Sequence, residues 1–310
     1  MKLKSVVSMQ KVSKRFRKTQ ALDDVSFEIG PGTVCALLGA NGAGKTTAIR
    51  TLLGLEQPDA GCCRVLGWDS QKYSREIRAR VGYVAEKPAL YDWMTIEETG
   101  WFAAGFYPPG YQPAFDAYCR QFDLDPTRKI SELSKGTRAK VALSLALSHQ
   151  PELLILDEPT SGLDPLIRRE FLQSMVDVAA EGRTVLLCSH QVNEVERVAE
   201  QVVILLNGKL ICFEKLDELK ERTREVILTL PESDAVVPDL PGTVLAQATF
   251  GHTRSLMIQD LNETRLPDVT QNGLVLEIRR PNLEEILLGL LRERRQFDNS
   301  GREMNGPDRS

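Results

Sequence analysis

Residues 39–47, GANGAGKTT, bring three glycines, a lysine and two hydroxyl side chains into nine positions. They follow the apolar run TVCALL (33–38) and match G-x-x-x-x-G-K-[ST], with Gly39, Gly44, Lys45 and Thr46 at the fixed places. Glycines let the backbone turn tightly and aim its N–H groups at phosphate oxygens, at the N-terminus of a helix. Lys45 supplies a mobile cation for β- and γ-phosphates, and the Thr46 hydroxyl is a ligand for Mg²⁺. The stretch reads as a nucleotide cradle whose candidate contacts are Gly39, Asn41, Gly42, Gly44, Lys45, Thr46 and Thr47.

A second stretch, LLILDEPTSGLD (153–164), ends an apolar run in Asp157-Glu158. Two carboxylates thereby stand at the C-terminal edge of a buried strand, where open α/β sheets bind ligands. Asp157 fits a direct or water-bridged partner of Mg²⁺, and Glu158 the base that orients an attacking water. A third patch, ELSKGTRAK (132–140), stands directly before VALSLALS, so Ser134 reads as a helix cap. Nothing inside that patch says whether it does more. The cradle and the carboxylates leave kinases, GTPases, helicases and transport ATPases all open.

The elements that must position these residues are visible as patterns. TVCALLG (33–39), VGYVAE (81–86), ELLILDE (152–158) and TVLLCSH (184–190) are short continuous apolar runs between longer helical patterns. Such runs suit strands covered on both faces, hence an α/β domain. In QVVILLNGKLICF (201–213), Asn207-Gly208 between two apolar runs predicts a hairpin. Composition changes near 214, where the charged connector EKLDELKERTRE precedes four strand-like runs, EVILTL, TVLAQATF, SLMIQD and LVLEIRR. Leu283, Ile286, Leu287, Leu290 and Leu291 then mark one face of a closing helix. The expected organisation is an α/β domain over 1–215 with a helical subdomain at about 87–150, a small α+β appendage over 216–295, and a disordered tail over 296–310.

Composition narrows the classes. A formal net charge of −4 over 310 residues lacks the basic footprint of a nucleic-acid binder. The opening MKLKSVVSMQ has no apolar stretch long enough for a signal peptide, and no run of about 18 apolar residues predicts a membrane span. The six cysteines show no metal spacing, and several sit in apolar runs, so they read as reduced and structural.

Cradle, LSKGT, LLILDEPTSGLD and a strand ending in His190, in this order and spacing, resemble the ATPase domain of the ABC family over roughly residues 5–215. ALDDVSFEI-x-PG ahead of the cradle strand is also typical of it. The resemblance implies a P-loop NTPase fold, ATP and Mg²⁺ as cofactors, and two subunits packed head to tail around two ATP molecules. It makes LSKGT the segment that faces the nucleotide of the opposing subunit, with Ser134 and Gly136 as the phosphate-facing pair acting in trans. Lys135 and Thr137 replace the usual Gly and Gln there. The resemblance further makes His190 the switch that senses the γ-phosphate, Asp164 part of a loop signalling across the dimer, and Phe16 the ring stacked on adenine. Glu86 takes the place of the usual Gln that touches Mg²⁺ and the lytic water, a swap familiar among export-type members.

Eleven of the nineteen Phe, Tyr and Trp lie between Tyr83 and Phe122, as subdomain core or as a groove for a membrane partner, with Tyr91 and Trp93 assigned to the groove. The implied function is the ATP-hydrolysing subunit of an ABC exporter for drugs, antibiotics or ions. Its partners would be a separate membrane-spanning subunit and a second ATPase chain, identical or not, on the cytoplasmic face of the membrane, with no nucleic acid. The appendage would help to dimerise or regulate, or serve only as a solubilising extension. The alternative is a non-transport ABC ATPase acting on ribosomes or DNA, against which stand a single cassette and the acidic balance.

Overall fold

Two antiparallel strands, β1 (Val7–Phe16) and β2 (Thr19–Ile29), open the chain, and in β2 Leu22, Val25, Phe27 and Ile29 alternate inward. With β4 (Ala60–Val65) and β5 (Trp68–Asp69) they form a four-stranded sheet of order β2-β1-β4-β5. Between them β3 (Val34–Leu38), buried at every position, runs straight into the cradle and α1 (Lys45–Leu52). This computed structural model describes residues 4–230, 239–266 and 275–291. It divides into two compact units, Met1–Phe213 and Glu214–Ser310.

In the first unit the chain continues through α2 (Ser74–Arg78), β6 (Val81–Val84), α3 (Ile96–Ala104), α4 (Tyr111–Gln121) and α5 (Lys135–Leu147). It then alternates β7 (Leu153–Asp157), α6 (Pro165–Ala180), β8 (Thr184–Ser189), α7 (Val192–Val195), β9 (Gln201–Leu206) and β10 (Lys209–Lys215). The central sheet has the order β10-β9-β3-β8-β7-β6, with β9, β3, β8, β7 and β6 paired in parallel. Its α/β pattern follows from the four apolar runs read in the sequence. Leu37, Leu154 and Leu186 are fully buried, and truncating any of them to Ala costs about 2–5 kcal/mol.

The expected hairpin sits at Asn207-Gly208, both with left-handed backbones (φ 49° and 80°). The Gly208 N–H donates to the Ala43 carbonyl (3.1 Å), and the Gly208 carbonyl accepts from the Asp23 N–H (2.8 Å). Helices α3 to α5 gather a separate core around Ile96, Tyr111, Phe115, Ile130 and Val141. Helix α3 starts on a capping box in which Thr95 and Glu98 bond each other's backbone N–H groups. A Cβ on Gly100 would lie 2.2 Å from the Phe115 ring, so only glycine lets α3 and α4 approach so closely.

In the second unit the charged connector becomes α8 (Leu216–Arg222), and β11 (Thr223–Thr229) begins two residues earlier than EVILTL. With β12 (Thr243–Phe250), β13 (Thr253–Gln259) and β14 (Val275–Arg279) it forms an antiparallel sheet of order β12-β13-β11-β14. The closing helix runs over 283–291 and buries Leu283, Ile286, Leu287 and Leu290, with Leu291 half-buried. The expected tail, 296–310, lies outside the described residues.

Candidate functional site

Strand β3 ends at Leu38, and the backbone then closes around Lys45 before α1 begins. The N-cap of α1 is Gly44 at φ 105°, where a Cβ would meet the Ala21 carbonyl oxygen at 2.3 Å. No other residue fits there. The Lys45 ammonium is 7% exposed, donates to the carbonyl oxygens of Gly39 (2.7 Å) and Ala40 (3.4 Å), and lies 3.5 Å from Glu158 Oε1. The Thr46 hydroxyl donates to Asp157 Oδ2 at 3.0 Å, across 111 residues of sequence.

Asp157 ends β7 beside Cys188 of β8. Burial raises its carboxyl above the ordinary value, with Glu158 and Glu86 adding repulsion, against hydrogen bonds from the Cys188 thiol and Thr46. Glu158 follows with a left-handed backbone, φ 51°, an uncommon conformation for a residue with a side chain. Its Oε2 meets the His190 Nδ1 at 2.6 Å and accepts from the His190 backbone N–H at 3.3 Å. Its carboxylate is therefore held between Lys45 and His190.

Around these groups lies a cavity of about 290 Å³ lined by Asn41, Gly42, Gly44, Thr46, Thr47 and Glu86, together with Thr19, Ala21, Lys45, Asp157 and Glu158. Its oxygen ligands for a cation include the hydroxyls of Thr19, Thr46 and Thr47 and the carboxylates of Glu86, Asp157 and Glu158. That set suits Mg²⁺, which binds through one or two carboxylates plus substrate phosphates. Among the described residues no group of three or more His, Cys, Asp and Glu could hold a metal by itself.

The other candidates lie apart from that wall. Gly39 contributes its carbonyl to Lys45 rather than lining the cavity. Phe16, 42% exposed, closes β1 with Lys14 Nζ 5.2 Å from its ring centroid, while Thr19 and Ala21, which nothing in the sequence singles out, line the cavity. Ser134 caps α5, its Oγ accepting from the Thr137 N–H at 3.1 Å, and is exposed. Gly136 is buried, and a Cβ there would lie 3.1 Å from Ile167 of α6. Asp164 caps α6 through the N–H groups of Leu166 and Ile167 (3.1 and 3.0 Å).

The aromatic segment divides. Tyr111 and Phe115 are core, whereas Tyr91 and Trp93 are 51% and 67% exposed and join Phe102 and Phe106 in a run of ring contacts 5.4–6.0 Å apart. Near them Leu53, Tyr83, Leu90, Ala103, Tyr107 and His149 help to line a mostly apolar groove of about 460 Å³. No helix among the described residues is long and apolar enough to cross a membrane.

A sequence model described as ABC transporter matches residues 22–161. A probable multidrug ABC transporter ATP-binding protein of Escherichia coli is 34% identical over 224 residues, covering 71% of this chain and 39% of that protein. The chain thus spans well under half the length of that relative. A daunorubicin resistance ATP-binding protein of Streptomyces coeruleorubidus is 31% identical over 303 residues, covering 92% of this chain and 94% of that one. A solved ATP-binding subunit of an ABC transporter, 32% identical, matches with a TM-score of 0.65 over 70% of this chain and 92% of its own.

Proposed function

The chain belongs to the ABC transporter family of ATP-binding proteins, and on that premise we propose that it binds and hydrolyses ATP to power an exporter. The observation that carries this reading is the Glu158 carboxylate, held between Lys45 and His190 at the wall of the glycine-bounded cavity.

Lys45 now rests on the Gly39 and Ala40 carbonyls, contacts that incoming phosphate oxygens replace. Thr46 and Asp157, with Glu86 nearby on the cavity wall, would hold Mg²⁺, which when bound neutralises charge on the β- and γ-phosphates. Glu158 accepts the proton of the attacking water as its oxygen bonds to the γ-phosphorus and the bond to the β-phosphate oxygen breaks, leaving ADP and phosphate. His190 fixes the Glu158 carboxylate and takes the part of γ-phosphate sensor. Phe16 stacks on adenine.

The nucleotide completes its site in trans. The exposed N-terminus of α5 at Ser134, with Gly136 two residues along, meets the γ-phosphate bound by a second ATPase chain, identical or not, in a head-to-tail pair. The groove beside Tyr107 and His149, with Tyr91 and Trp93, takes a helix of a separate membrane-spanning subunit, which brings the chain to the cytoplasmic face of the membrane. The multidrug and daunorubicin resistance relatives support export. The unit from Glu214 onward assists dimerisation or regulation.

The test is steady-state release of phosphate from ATP by the purified chain, beside Glu158→Gln. Turnover in the wild type that vanishes in the variant, with ATP binding intact, supports the reading. A variant that keeps full turnover removes Glu158 as the base. Gentle purification from native membranes without a stoichiometric polytopic protein would remove the transport assignment.

A further inference from the structure

Glu158 and His190 tie the loop after β7 to the segment after β8 on the cavity side. A second tie joins the same two segments behind them. Glu194, in the one-turn helix α7 that follows His190, accepts from the Thr160 hydroxyl at 2.9 Å. Its other oxygen pairs with Arg168 Nη1 of α6 at 2.6 Å, and Arg168 Nη2 donates to the Leu163 carbonyl at 2.9 Å. Thr160 is 2% exposed and the Glu194 side chain 13%. A carboxylate so far out of water is stable only when its oxygens are partnered. Here Oε2 has the loop hydroxyl as its hydrogen-bond partner, and Oε1 is met by the charge, without an aligned hydrogen bond, of a guanidinium that itself grips the loop's end.

We propose that Glu194 is a positioning residue of the hydrolytic site. It clasps the loop Pro159–Leu163 to the segment carrying His190, so that Glu158 keeps its left-handed backbone and its carboxylate stays between Lys45 and His190. The proposal rests on Glu158 being the base. Left-handed backbone at a residue with a side chain persists only where the surroundings hold it, and this clasp grips the residues that follow it directly. Thr160 is thus a hydroxyl needed for its bond, and Glu194 acts through it.

The experiment compares Thr160→Val, Thr160→Ser, Glu194→Gln and Thr160→Val/Glu194→Gln in the full chain, reading kcat, KM for ATP and thermal midpoint. Thr160→Val removes the hydroxyl at nearly constant volume and should lower kcat by about ten- to a hundredfold, with KM unchanged, because the base is misplaced while the cradle is not. Thr160→Ser should retain the wild-type kcat. The double variant should be no slower than the slower single, since both changes open one clasp. Wild-type kcat in Thr160→Val, or equal losses in the valine and serine variants, would overturn the proposal. If Glu194→Gln fails to fold, the valine and serine pair still decides. Turnover retained in Glu158→Gln would show instead that the base assignment itself had failed.

Discussion

The cradle at 39–47 and the patch at 132–140 are both polar stretches ahead of helices, yet they fold to opposite conditions. Around the cradle the charged and metal-binding side chains already have partners inside the chain: Lys45 on Gly39 and Glu158, Thr46 on Asp157, and beside them His190 on Glu158. At α5 the side-chain bonds of Ser134 go no further than the helix's own cap. No acidic residue balances the first turn, and Lys135, exposed, forms no ion pair among the described residues. A cation at the positive end of a helix costs stability rather than adding it. One cluster is poised within a single chain, and the other leaves an exposed helix start whose Lys135 has no ion-pair partner among the described residues. The proposed sharing of the site between two chains would draw on that asymmetry.

Splitting the two clusters between two molecules should have the largest effect. Lys45→Ala should abolish phosphate release and Ser134→Ala should reduce it severely, yet an equimolar mixture should regain turnover that neither shows alone, because a mixed pair keeps one intact site. Mixing without recovery would place the cradle and the α5 start of one and the same chain at the same nucleotide. Next in size, Glu158→Gln should slow hydrolysis by about 10²–10⁴-fold. Under ATP that variant should also accumulate a dimer, visible by light scattering, that reverts on nucleotide removal.

A smaller effect separates function from stability inside the cradle. Burial raises the Asp157 pKa, so its protonated form is favoured in the fold. The penalty is then absent below the unfolded value of 3.8 and complete once pH exceeds the raised folded value. Asp157→Asn should therefore raise the nucleotide-free melting midpoint by about 2–4 °C near neutrality, a gain that fades toward acid pH, while weakening Mg-ATP binding. A lower midpoint would mean that the carboxylate is held for stability. The smallest effect is at Lys135. Lys135→Gln should stabilise the free chain by about 0.3–1 kcal/mol in denaturant titration, yet weaken ATP-driven pairing. If both quantities improved, the cation would have no ligand to meet.

How far the molecule is legible in its sequence depends on what kind of regularity carries it. Strands β3, β6, β7 and β8 are legible because burial on both faces forces unbroken apolar runs, and the hairpin because only left-handed residues such as Asn207-Gly208 make its turn. The cradle's lining at Asn41–Thr47 is contiguous, so one motif spans it. Thr19 and Ala21 are not legible, since they reach the cavity through the pairing of β2 with β1, which no local pattern announces. Cys188 reads as one more apolar residue in VLLCS, although its thiol bonds Asp157. The Thr160–Glu194–Arg168 clasp joins three segments with no shared period, so only the folded chain reveals it.

The turn at Gly208 also fixes when the cradle can form. Its backbone bonds Ala43 and Asp23, and the neighbouring Leu205 carbonyl stands where a Cβ on Gly39 would be, 2.5 Å away. The nucleotide loop leaves the ribosome about 160 residues ahead of its buttress, which is among the last segments of its unit. Until residues 205–208 emerge, the nascent loop lacks the contacts that hold its shape. Nucleotide capture during synthesis should therefore switch on late and abruptly, and a chain arrested at residue 161 would carry the whole matched family segment without them.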